Sequence, residues 1–235
     1  MMIRKEVNER SPLRVFERSI QGGLGKGNVG VVMSRAGAGK TAFLVDIALD
    51  DLMRGRKVLH INIDNPVERV REFYDEIFAD LAESENIEHK ERTHLEVERN
   101  RLIQTFGRES FSLDKVKQGI QLAHEHMHFN PEVIILDGWP KFSQASEDDV
   151  KELVALARQY DCELWVSARA RREDERDARG IPTKIARFDE HLAVILNLEP
   201  EADHIRLHLM KDHDNKNVAS LFLELDPRTL LVKWR

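Results

Sequence analysis

One cysteine, Cys162, is all that this chain contains. An intramolecular disulfide is therefore excluded, and the usage fits a reducing cytoplasm. No apolar run approaches the roughly 20 residues that span a bilayer, so no membrane association is expected. Residues 1–10 are charged and lack the apolar core of a secretory leader, so none is expected there. A basic excess is missing as well. The net charge is −6, and any nucleic-acid binding would need a local basic groove. Low-complexity runs and internal repeats are absent. The remainder, 41% hydrophobic and 33% charged over 235 residues, is the balance of one substantial globular domain at 11–235 behind a polar arm at 1–10.

The stretch around which the chain is organised is Ser34-Arg35-Ala36-Gly37-Ala38-Gly39-Lys40-Thr41. It follows the apolar run Val29 to Met33 and precedes Ala42 to Leu49, whose composition suits a helix. Strand, small-residue turn, Lys-Thr and helix make the P-loop arrangement. Backbone N–H groups wrap a phosphate there, and the helix N-terminus adds partial positive charge. Lys40 is expected at the β- and γ-phosphates and the Thr41 hydroxyl on Mg²⁺. Ser34 stands where the usual G-x-x-x-x-G-K-T pattern has its first glycine. The expected nucleotide contacts run from Ser34 to Ala42.

The turns at Gly22, Gly23, Gly25 and Gly27 lead into the first strand. The P-loop helix is expected to end near Arg54, with Gly55 capping it. Val58 to Ile63 reads as a second strand. Asn65 is the expected N-cap and Pro66 the first residue of the next helix, whose apolar positions run from Val67 to Leu81 at spacings of three and four. Residues 83–101 are too charged for a core element and read as a solvated helix, a flexible excursion or a partner-facing arm. A short strand at 102–106 and a helix opening at Ser112 follow. His124, His126 and His128 point in different directions on a helix, so no shared metal is expected there.

Pro131 to Asp137 is the second strong signal. Its apolar run reads as a strand buried on both faces, with Asp137 at the carboxyl end, where an α/β sheet places ligands. Asp137 is the expected Walker B aspartate of the Mg²⁺ shell. A helix capped at Ser146 and a strand at Cys162 to Ser167 come next. Arg169 to Arg187 holds six arginines and a lysine, diluted by Glu173, Asp174, Glu175 and Asp177. It reads either as a salt-bridged exposed loop or as a nucleic-acid site. The last fifty or so residues alternate like antiparallel strands at 191–198, 205–211, 220–225 and 230–234.

This order of elements resembles the RecA-like P-loop ATPases, and specifically their KaiC-like branch. Gly22-Gly23-Leu24-Gly25-Lys26-Gly27 is similar to the family's Gly-Gly-Leu-x-x-Gly lead-in. Ile63-Asp64-Asn65-Pro66 is similar to its Glu-Glu-Ser-Pro segment, and Lys211-Asp212-His213 lies where relatives carry Lys-x-Arg. The resemblance implies a mainly parallel central sheet flanked by helices, C-terminal antiparallel hairpins, ATP and Mg²⁺ as cofactors, and a homo-oligomer. It implies that Asp64, with Lys40, acts at the γ-phosphate, and that Lys211 and His213 reach a neighbouring subunit's nucleotide. Ser167 or Arg169 would sense the γ-phosphate. The match departs from the family at the catalytic carboxylate, where Asp is one methylene shorter than Glu, and at the finger, where His replaces Arg. Binding parts are kept and hydrolytic parts weakened. The expectation is a cytoplasmic ATP-binding protein with slow hydrolysis that couples nucleotide state to an oligomer, or to a protein partner at 83–101 or 169–187. The alternatives are a non-hydrolysing nucleotide-dependent regulator and a DNA-binding recombinase or helicase paralogue.

Overall fold

The computed structural model describes residues 12–20, 22–215, 218 and 220–234; the polar arm expected at 1–10 lies outside them. A nine-stranded sheet, in the order β3-β2-β4-β5-β1-β6-β7-β8-β9, forms the middle layer. The strands are β1 (Val29–Ser34), β2 (Val58–Ile63), β3 (Arg101–Phe106), β4 (Val133–Asp137), β5 (Glu163–Arg169), β6 (Val194–Pro200), β7 (Ile205–Asp212), β8 (Leu223–Leu225) and β9 (Val232–Trp234). The first six pair in parallel, and β7, β8 and β9 extend the edge in antiparallel fashion. From β1 the chain crosses to β2 and β3 and returns through β4 and β5, leaving β6 on the other side of β1. Such a reversal opens a crevice outside the carboxyl ends of the strands.

Helices cover both faces, which is why β1, β2 and β4 are buried at every position. On one face lie α1 (Pro12–Ser19), α2 (Lys40–Met53), α3 (Val67–Ser84) and α4 (Lys90–Asn100). On the other lie α5 (Leu113–Met127), α6 (Glu147–Gln159) and the short α7 (Thr183–Ala186). The period-two alternation of the strands divides the apolar residues between two cores. Val32, Ile135 and Trp165 face α2, and Val31, Leu136 and Val166 face α5 and α6. No described helix is long and apolar enough to cross a membrane.

Several boundaries differ from expectation for identifiable reasons. Pro66, not Asn65, is the N-cap of α3, because both Asn65 nitrogens donate back to the Asn62 side chain. The charged segment 83–101 supplies a core element after all. It holds the end of α3 and then α4, whose Val97 is fully buried and whose Thr93 is nearly so, while most of its charges stay on the outer side. A helix needs only one apolar stripe to dock, so overall charge does not decide the matter. The first of the expected C-terminal antiparallel strands, β6, runs parallel to β1 and antiparallel only to β7. β8 and β9 have three residues each, shorter than the alternation predicts. In the 169–187 loop, Asp174 holds Lys184 at 2.5 Å and Asp177 holds Arg179, around buried Ile181 and Ile185. That is the salt-bridged loop of the first reading.

Candidate functional site

β1 carries Ser34 to the carboxyl edge of the sheet, and α2 begins six residues later at Lys40. Gly39 caps the helix with φ 78°, in the left-handed region. A Cβ there would also come within 2.7 Å of the Leu225 side chain, so both backbone and packing require glycine. No side chain caps α2. The first N–H groups of a helix have no partner within it, so those of α2 face the crevice as donors.

The Lys40 ammonium donates to Ser34 Oγ at 3.2 Å and to the Arg35 carbonyl at 3.3 Å. Ser34 Oγ itself donates to the Arg35 carbonyl at 2.8 Å. The departure from glycine thus has a use: the Ser34 hydroxyl holds the lysine. Burial pulls the Lys40 pKa below the ordinary lysine value; Asp137 opposes the shift and Arg169 adds to it. An anion placed against Lys40 would relieve that cost. Arg35 lies partly exposed at the turn, Ala36 and Gly37 are exposed, and Ala38 and Ala42 are buried and hold the turn against the core.

Thr41 Oγ1 donates to Asp137 Oδ2 at 2.6 Å, joining residues 96 positions apart. Asn62 Nδ2 donates to the same oxygen at 3.2 Å. On the far side, the Gly138 N–H donates to Ser167 Oγ at 2.9 Å, which fixes the backbone just beyond Asp137. Asp137, Asn62 and Ser167 are all buried. Sequence reasoning found Asp137 and Ser167 and missed Asn62. The signal was present in β2, where His60 and Asn62 alternate as polar residues within an otherwise apolar strand. His60 is fully buried with Nδ1 3.0 Å from the Tyr74 hydroxyl, and burial takes its pKa down to about 4, so it is neutral.

Asp64 does not join this cluster. It sits at φ 84°, its N–H bonded to the Phe106 carbonyl, and its carboxylate is paired with the Arg108 guanidinium on the β3 side of β2. Its link to Asp137 runs through Asn62, which receives both Asn65 hydrogen bonds from the same turn at 3.0 and 2.9 Å. Arg169 registers beside Ser34 and stays exposed at the crevice.

Lys211 and His213 lie at the other end of the sheet. Lys211 registers with Ile195, which sits beside Val31, three residues before Ser34 on β1. At about 3.3 Å per residue that is about 10 Å along the strand from the carboxyl edge. Lys211 Nζ binds the Asp189 carbonyl at 2.5 Å, and His213 lies between Asp212 and the Leu24 carbonyl. Neither residue is brought to the turn at 34–41 of its own chain.

A cavity of about 560 Å³ borders the turn at Arg35, and another of about 210 Å³ lies beside Ile63, Arg108, Phe111 and Trp139. No family model matches the chain, and no curated protein matches it in sequence.

Proposed function

We propose that this chain is a RecA-like P-loop protein of the KaiC-like kind that binds ATP with Mg²⁺ at the carboxyl edge of β1 and β4. The observation that carries this reading is the 2.6 Å bond from Thr41 to Asp137, directly below a left-handed Gly39 and a half-buried Lys40. Few purely structural needs bring a lysine, a hydroxyl and a carboxylate together at the N-terminus of an uncapped helix. The α2 N–H groups and Lys40 would receive the phosphates. The Thr41 hydroxyl and the Asp137 carboxylate, both hard oxygen donors, would hold Mg²⁺, which supplies charge neutralisation of the phosphates when bound.

Hydrolysis, in this reading, is slow. Asp64 would have to leave Arg108 to orient water, and Lys211 and His213 can serve only a neighbouring copy's site. The engaged Asp64 favours the second reading in one respect: nucleotide occupancy itself, rather than turnover, would be the signal passed to an oligomer or a protein partner. DNA binding by the 169–187 loop has less support, because Asp174 and Asp177 already engage Lys184 and Arg179 and no aromatic residue lies within the loop to stack on bases. The test is ATP binding and phosphate release by the purified chain and by Lys40→Ala, Thr41→Ala and Asp64→Ala. Loss of binding in the first with retention in the third supports the reading. Undiminished ATP affinity in Lys40→Ala refutes it.

A further inference from the structure

The cavity beside Arg35 has a lining that the nucleotide site does not use. Arg35, Arg172 and Arg176 all border it, and none is paired with a carboxylate among the described residues. The Arg176 guanidinium donates to the Gly180 carbonyl at 2.6 Å and to the Arg171 carbonyl at 3.5 Å. The acid in the lining, Glu199, lies 3.1 Å from His208, which is also in the lining. Elsewhere in the same loop Lys184 is matched with Asp174, and Arg179 with Asp177 and Asp189. Three guanidinium groups without a carboxylate partner among the described residues therefore border one cavity, in a chain whose net charge is −6.

At about 560 Å³ the cavity falls in the size range of small-ligand sites, about 300–1,000 Å³. Its floor is Leu198, Pro200, Ala170 and Met210, and no phenylalanine, tyrosine or tryptophan borders it. Grooves for single-stranded nucleic acid rely on aromatic stacking, which this lining cannot provide. Guanidinium groups are suited to bidentate grip on phosphate oxygens.

We propose that this cavity binds a small organic polyphosphate at a site separate from the one at Lys40. Arg35 connects the two. Its carbonyl accepts from Lys40 and Ser34, while its side chain borders the cavity. Occupancy of the cavity and the conformation of the turn are thereby linked, and such coupling is reciprocal.

Calorimetric titration with inorganic tripolyphosphate tests this. The full chain is expected to show two binding events and Lys40→Ala to keep one. Arg172→Ala, placed in the Lys40→Ala background, is expected to weaken the retained event by about tenfold through loss of charge-assisted hydrogen bonds. Arg172 is exposed and has no hydrogen-bond or ion-pair partner among the described residues, so its removal leaves the fold alone. Arg176→Lys, which keeps the charge but not the fork, should weaken it less than Arg176→Ala. A retained event indifferent to Arg172→Ala overturns the proposal, and so does its absence in Lys40→Ala. Displacement of tripolyphosphate by a tighter-binding oligothymidine also overturns it, in favour of a strand-binding groove. If wild type shows a single event that Lys40→Ala keeps and Arg172→Ala weakens, the cavity stands and the nucleotide reading of Lys40 falls.

Discussion

The two ends of α2 handle charge in opposite ways. At its carboxyl end, Asp50 and Asp51 are buried and surrounded by cations. Arg14 pairs with Asp50 and with Glu17, and Arg54 reaches Glu17, Asp50 and Asp51. Arg56 joins Asp51 at 2.8 Å to Glu163 at 3.0 Å, tying α2 to β5. Glu17, Asp50 and Asp51 are close enough to one another to hold a cation, but their arginines already fill that role. At its amino end, Lys40 binds only uncharged oxygens and Asp137 receives only a hydroxyl and an amide. Charges matched internally hold the fold. Charges left unmatched at the edge of a crevice are available to a ligand.

That contrast is broken most directly at Arg54. Arg54→Ala removes three ion pairs, two of them to buried carboxylates that each keep one other arginine, and is expected to cost about 3 kcal/mol of stability in urea denaturation, about 1 kcal/mol for each lost charged hydrogen bond. ATP affinity of the folded fraction should not change. Lys40→Ala is the mirror image. Its thermal midpoint should stay level or rise, while calorimetry shows ATP binding weakened by about a hundredfold or more, the scale of lost charge-assisted phosphate contacts.

The midpoint of α2 sharpens the comparison. Asp46 is buried, its Oδ2 has no partner, and burial raises its pKa well above the ordinary carboxylate value. Asp51 is likewise raised, to about 6, because burial outweighs Arg56 and Arg54. An acid whose folded pKa exceeds its unfolded one carries a proton into the fold. Its stability contribution is complete below the unfolded value of about 3.9 and is lost as pH rises through the folded one. Stability should therefore fall between pH 4 and 6 through Asp51 and continue falling at higher pH through Asp46. Asp46→Asn should flatten the upper part of that slope and raise the midpoint at pH 8 more than at pH 5. Persistence of the full slope in Asp46→Asn would show that Asp46 is ionised and solvated.

Asn62→Ala should cost about 1 kcal/mol of stability, as the loss of buried hydrogen bonds commonly does. It should also lower the rate of phosphate release more than the affinity for ATP, because the turn carrying Asp64 loses its tie to Asp137. Equal losses in both would reduce Asn62 to a packing role. The smallest effect is expected at Lys26 and Asp161, paired at 2.8 Å on the surface. Asp161→Asn, which keeps a residue tolerant of the left-handed backbone at φ 48°, should leave both the melting curve and ATP binding indistinguishable from wild type, since exposed pairs contribute little.

Much of this was legible in the residues. The apolar runs of β1 and β4 and the sequence from Ser34 to Thr41 read directly, because strand period, turn glycine and helix composition are local properties. Ser112 and Ser146 read as caps for the same reason, and both accept their expected backbone hydrogen bonds. What stayed hidden depended on partners distant in the chain. Val97 made α4 a core element only because α2 and α3 offered a face to it. Asn62 drew no reading of its own until β4 brought Asp137 beside it. Asp64 looked available until β3 delivered Arg108.

The amino-acid sequence alone determined that the chain turns at Gly37 and Gly39 between a buried strand and a helix and presents Lys40 and Thr41 there. Glycine dihedral freedom and apolar periodicity act within a few residues. The tertiary structure alone decided which charges face each other. It set Thr41 on Asp137, closed the arginine network around Asp50 and Asp51, turned Asp64 toward Arg108, and carried Lys211 and His213 to the opposite edge of the sheet. Those outcomes follow from strand order, which is set by how the whole chain buries its two apolar faces and not by any local pattern.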